Sequence, residues 1–137
     1  MDLSTLDAAT EAAMQLRHPG TNVVLKQDDG RPITITLAGV DSERYRKAQR
    51  ALTNQRLKMG GRRGGAGTLT AEELESAGLE TLVACTVAWD GIILDGQALE
   101  CNPANARTLY ARLPWVRDQA DEFMGERANF LTGSSQG

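Results

Sequence analysis

The chain has 137 residues, enough for one domain, and a formal net charge of −3 at neutral pH. With 41% hydrophobic and 24% charged residues it reads as an ordinary globular protein, and its pI near 5.2 is far from the basic footprint of a dedicated nucleic-acid binder. No apolar run approaches the ~20 residues needed to span a bilayer, and the acidic start MDLSTLDAATEAAM lacks the basic and apolar regions of a secretion signal.

Residues 3–16 fit two patterns. Leu3, Leu6, Ala9, Ala13 and Leu16 suit a helical stripe, whereas Met14, Leu16 and His18 alternate as in a strand. The reading is a short helix or irregular lead-in, then a strand near 13–18. HPGTN (18–22) has turn chemistry. In NVVLKQDDGRPITITLAG, Asp29-Gly30 supplies a tight turn and Pro32 stands where a strand begins. Ile33, Ile35 and Leu37 then alternate with Thr34 and Thr36, with Val23 and Leu25 available to pair across. A small antiparallel β unit is expected over about 13–38. A lone hairpin is marginal in water, so it must cover a helix or find a third strand.

Asp41-Ser42 offers an N-cap, and a helix is expected over about 42–59, with Tyr45, Ala48, Leu52 and Met59 on one face. Arg46, Lys47 and Arg50 fall nearly opposite, and Arg44 and Arg56 flank them. GGRRGGAG predicts a flexible link over 60–68. Thr70 and Glu73 make a potential capping box, with Leu69 stapled to Leu74, at the start of a helix over 70–89. Its second half, Leu82 to Trp89, is apolar nearly all round and reads as the central core helix. Asp95-Gly96 suggests a tiny hairpin or ordered turn. Asn102-Pro103 starts a helix over 103–113, and a last one follows over 115–131, burying Val116, Ala120, Phe123, Phe130 and Leu131, with Arg127 snorkelling from that stripe. TGSSQG (132–137) reads as a disordered tail. The fold class expected is α+β, mostly α: one domain over 1–131, a small N-terminal antiparallel β unit followed by about four helices.

Active-site material is scarce. His18, the one histidine, sits in a turn with no paired nucleophile. Cys85 and Cys101 lack metal-ligand spacing and read as free buried thiols. The Gly-rich link has no Gly-Lys-Ser/Thr ending and follows a helix, unlike a phosphate loop. Glu72, Glu73 and Glu75 suit a helix start better than a catalytic pair. No catalytic residue, cofactor or metal is expected.

Charge is the stronger pattern. From Asp41 to Arg63 there are eight bases and two acids; from Thr70 to Glu100 there are seven acids and no base. Adjacent blocks of opposite sign suit either solvated faces that pair within one subunit or not at all, or a molecule that meets its own copies head to tail, a heterologous contact that builds a ring or an open spiral. Arg46, Lys47, Arg50 and Arg56 are the candidate self-association or partner surface. Exposed ion pairs contribute about 0–1 kcal/mol each, so charge orients such contacts and apolar area holds them.

The order of segments resembles the tail assembly chaperones of long-tailed, siphovirus-type bacteriophages and prophages. The likeness rests on HPGT, on DGRPITITLAGVDSERYRKAQRA, on the Trp-Asp-Gly turn at 89–91, on Asp95-Gly96, on NPANARTLYARLPWVRDQ and on the closing Asn129-Phe130-Leu131, and covers most of 14–131. The resemblance implies a non-enzymatic protein of the host cell cytoplasm. It would coat the tape measure protein and keep it soluble until the tail tube polymerises. Its partners would be the tape measure protein, copies of itself and the tail tube protein; hydropathy gives no membrane partner, and the pI and the shortage of stacking aromatics argue against nucleic acid. It also implies a longer frameshifted form in many such families. The rival readings are a structural tail or head–tail completion protein of the virion, a small nucleic-acid-binding regulator and, last, an enzyme.

Overall fold

The computed structural model describes residues 2–3, 9–60 and 70–131. The fold is α+β and mostly α, in the order β1 (Glu11–Gln15), β2 (Thr34–Ala38), α1 (Glu43–Gly60), α2 (Ala71–Cys85), β3 (Thr86–Asp90), β4 (Ile93–Leu94), β5 (Gln97–Ala98), α3 (Pro103–Arg112) and α4 (Pro114–Gly125), closed by a 3-10 turn at Arg127–Phe130. The expected link at 60–68, apart from Gly60 at the end of α1, and the tail at 132–137 lie outside the described residues, as do residues 4–8 of the lead-in.

The period-2 run of β2 makes it the central strand of an antiparallel sheet ordered β1-β2-β3. Ile35 and Leu37 are wholly buried. β1 pairs from Glu11↔Ala38 to Gln15↔Thr34. Val23 and Leu25 divide their bonding: Val23 O accepts from His18 N–H, while Leu25 bonds both Leu16 and Ile33.

On the other side of β2 lies β3, and here the structure corrects the expected helix over 70–89. α2 ends at Cys85, and Thr86–Asp90 supply the third strand, Thr34↔Asp90 through Leu37↔Thr86, with a register shift that leaves Val87 as the extra residue. The run is apolar because β2 and α2 share one core. Thr86, Val87 and Trp89 are β-formers, and the N-terminal hairpin needs a further strand to be stable.

One face of the sheet, α2, α3 and α4 bury a common core: Met14, Leu16, Ile35 and Leu37; Leu82, Val83 and Cys85; Ala106, Leu109 and Tyr110; Val116, Ala120 and Met124. α3 starts where Asn102 Oδ1 accepts from Asn105 N–H at 2.8 Å with Pro103 in the first turn. The helix expected over 115–131 divides, α4 stopping at Gly125. The 3-10 turn then buries Phe130 against Gly39 and edge-on to Phe123 at 5.6 Å. Arg127 does not snorkel. It is 68% exposed and its guanidinium meets Asp41 at 2.9 Å, linking the C-terminal turn to the start of α1.

Tyr110 is buried with its hydroxyl 2.7 Å from Thr86 Oγ1. Thr86 donates its own proton to Leu82 O, so Tyr110 is the donor to Thr86. Burial pushes the phenol up to about 12. Above pH 10 the unfolded chain loses this proton while the folded one keeps it, so stability falls as pH rises from 10 towards 12. Tyrosinate absorbance is expected to show one of the two tyrosines ionising only with alkaline unfolding, and Tyr110→Phe is expected to remove that late component at a cost of about 1 kcal/mol.

Two turns follow from sequence. Asp95 and Gly96 both have positive φ, 53° and 81°, and close the β4–β5 hairpin as a type I′ turn. Gly91 has φ 89°, and a Cβ there would sit 2.6 Å from Gln27 Cδ. Gly91→Ala is expected to destabilise by about 1–3 kcal/mol. In thermal denaturation, adding Gln27→Ala should restore the steric part and leave the backbone part.

Candidate interaction surfaces

α1 and α2 form an antiparallel hairpin: Arg44 donates to Ala84 O at 3.0 Å and Gln49 to Thr81 Oγ1 at 3.2 Å. α2 opens with the predicted capping box, Thr70 Oγ1 accepting from Glu73 N–H and the Glu73 carboxylate from Thr70 N–H; Leu69 lies outside the described residues. Tyr45, Ala48 and Leu52 are half-buried against α2, yet no described side chain of α1 is buried. Towards the far end of the hairpin Leu57 is 69% and Leu74 57% exposed.

The predicted basic residues take three different places. Arg46, Lys47 and Arg50 share one exposed face of α1. Among the described residues Arg46 and Arg50 form salt bridges with Glu43 on their own helix, at 4.0 and 2.8 Å, and hydrogen bonding from Arg50 leads in lowering the Glu43 carboxyl below its ordinary range. Lys47 makes no ion pair among the described residues. Arg56 stands further along α1, and its side chain lies outside the described residues. Arg44 is turned away to the end of α2.

The acidic block behaves differently. Glu80 takes two hydrogen bonds from Arg107, at 2.9 and 2.8 Å, and these hold its carboxyl below the ordinary range. Asp95 is held down likewise by Arg112, and Asp90 and Glu75 lie 3.1 and 3.7 Å from Arg31 and Arg117. Most of the block is therefore engaged within the subunit by arginines on a β-turn, α3 and α4. Glu72 and Glu100 make no such contact among the described residues, and neither do Asp118 and Glu122, both exposed on α4. These two acids stand four residues apart on one helix, a spacing the sequence itself carries.

Other chemistry-bearing residues are placed structurally. His18 Nδ1 accepts from Gly20 and Thr21 N–H at 3.0 and 3.2 Å, which organises its turn. Cys85 and Cys101 are free thiols, and burial pushes Cys85 up to about 11. Desolvation raises the Asp121 carboxyl despite Arg117. Among the described residues no cluster of His, Cys, Asp and Glu is placed to hold a metal ion, and no helix is long and apolar enough to cross a membrane.

Two grooves were not foreseen. One of about 470 Å³ is apolar and lies between the 25–33 hairpin, the β4 segment and the α3–α4 corner, with Leu25, Ile33, Leu94, Leu113 and Trp115 in its wall. The other, about 780 Å³, runs between β1 and the C-terminal half of α4 and is mostly polar. Comparison of the chain with protein families, with characterised proteins and with solved structures finds no match.

Proposed function

We propose that the chain is a non-enzymatic tail assembly chaperone of a long-tailed bacteriophage or prophage, which self-associates in the host cell cytoplasm and coats the tape measure protein until the tail tube forms. The order of sequence motifs suggests the family. The observation that carries the self-association is α1: an 18-residue helix with no described side chain buried, whose outward Arg46 and Arg50 form salt bridges, among the described residues, with Glu43 of the same helix. A long helix left so open is suited to being covered by another chain, and its charge gives repeated copies a common orientation. The partner acids of the next copy are then the carboxylates still open, Glu72 and Glu100 or the α4 pair Asp118 and Glu122.

Co-expression with a tape measure protein tests the reading. The tape measure is expected to move from the insoluble to the soluble fraction and to co-purify with many copies of the chain. A tape measure that stays insoluble, or a chain that stays monomeric at high concentration and low salt, overturns it. Purified virions should contain little of the chain by mass spectrometry, whereas a structural tail or completion protein would be abundant there. The same basic face also favours a nucleic-acid regulator. Retention on DNA that falls steeply with salt would select that reading instead.

A further inference from the structure

β1 is an edge strand whose outer side, among the described residues, is closed at both ends and open in the middle. Its bonds to the rest of the sheet run through even-numbered residues: Thr10 O accepts from Gly39 N–H, Leu16 N–H donates to Ile33 O, and Leu16 O accepts from Leu25 N–H. Backbone groups of odd-numbered residues therefore face away from β2. At one end Ala9 N–H is taken by Phe130 O. At the other the Gln119 side chain from α4 imitates a strand, accepting from Arg17 N–H at 2.9 Å and donating to Arg17 O at 2.7 Å. Between these plugs the N–H and C=O groups of Ala13 and Gln15 have no hydrogen-bond partner among the described residues, and both residues are exposed.

The 780 Å³ groove lies against this open stretch, with Ala13, Met14 and Gln15 on one side and Glu122, Phe123 and Glu126 on the other. Paired donors and acceptors at alternate residues of a strand are matched by an extended main chain and by little else. The plugs exclude the edge of a second sheet, which would have to run past Gln119 and Phe130. What fits is one strand of four or five residues, since Glu11 to Gln15 spans about 13 Å at about 3.3 Å per residue. The charge along the α4 side is negative, from Glu122 and Glu126, while Arg17 is drawn back onto Asn22 O at 3.1 Å and His18 Nδ1 is occupied by its own turn. Side chains alternate along a strand, so the face turned to α4 would meet Phe123 together with the two carboxylates.

We propose that the β1 edge and this groove form a receptor for a short, extended, basic segment of another polypeptide, bound by strand addition at Ala13 and Gln15. The inference goes beyond the chaperone reading and does not depend on self-association.

The probe is the peptide acetyl-Val-Lys-Val-Lys-Val-amide, added to the isotope-labelled full chain. The Ala13 and Gln15 amide signals are expected to shift and their hydrogen exchange to slow. The same peptide N-methylated at alternate residues, which leaves the protein untouched, is expected to bind at least tenfold more weakly. So is the Glu-for-Lys peptide, and Glu122→Gln with Glu126→Gln should reduce the preference between the two. Ala13→Pro, which removes one outward N–H at an edge position that tolerates proline, should also lose binding. No response at residues 11–15 with millimolar peptide, or equal binding of the N-methylated peptide, overturns the proposal.

Discussion

Leu82→Ala is expected to destabilise the domain by about 3 kcal/mol, within the range of about 2–5 kcal/mol for such truncations. Leu82 is fully buried near the end of α2, in the cluster shared by the sheet, α2, α3 and α4. Truncation would leave a cavity that this many elements cannot jointly collapse around. Against a typical total of about 5–15 kcal/mol, the loss removes a large fraction of stability. Urea denaturation measures it as a lower midpoint with an unchanged slope. Leu57→Ala and Leu74→Ala supply the contrast. Their side chains are mostly exposed, so in dilute solution each should change stability by about 0.5 kcal/mol or less. If either costs as much as Leu82→Ala in the dilute protein, the far end of the α1–α2 hairpin is not open as described.

Local chemistry was the most legible part of this fold. The Thr70–Glu73 box, the Asn102-Pro103 start, the Asp95-Gly96 turn and the alternation of β2 all depend on neighbours within a few residues, and each formed as read. The strand at Thr86–Asp90 was not legible. A run apolar on all sides is compatible with either a buried helix or a buried strand, and periodicity alone does not choose. What chose was β2, some fifty residues earlier, with a free edge to fill. The same partition holds for the candidate surfaces. The basic face of α1 was visible because helical spacing sets it. The fate of the acids was not, because Arg107, Arg112 and Arg117 come from later helices. The open edge of β1 was hidden for a further reason: it is made of backbone groups, and Gln119 reaches it from more than a hundred residues away.

The two proposals use different physics and, although Glu122 is a candidate in both, can fail separately, because Ala13→Pro bears on strand addition and the α1 reversal on assembly. Strand addition at β1 depends on main-chain hydrogen bonds in a groove and should be only partly sensitive to salt. Assembly through α1 depends on exposed charges and should be strongly so. On the assembly proposal, orientation is set by the exposed charge of α1.

Reversing that charge should therefore have the largest functional effect. Arg46→Glu, Lys47→Glu and Arg50→Glu together are expected to abolish higher-order assembly, read as loss of the large species in light scattering and sedimentation. The fold should survive, because all three side chains are exposed and the salt bridges of Arg46 and Arg50 among the described residues are to Glu43 of the same helix. Placing new carboxylates near Glu43 weakens α1 by no more than a few tenths of a kcal/mol per like-charge pair, which circular dichroism can check. Wild-type assemblies should themselves dissolve as salt shortens the screening length from about 30 Å at 0.01 M to about 3 Å at 1 M. The acid side follows by complementation. If Asp118 and Glu122 receive α1 of the next copy, Asp118→Lys with Glu122→Lys should abolish assembly alone and restore it when mixed with the α1 variant; if Glu72 and Glu100 do, only their reversal will. Oligomers of unchanged size from the α1 variant, at low salt and with intact helix content, would show that copies meet through some other face.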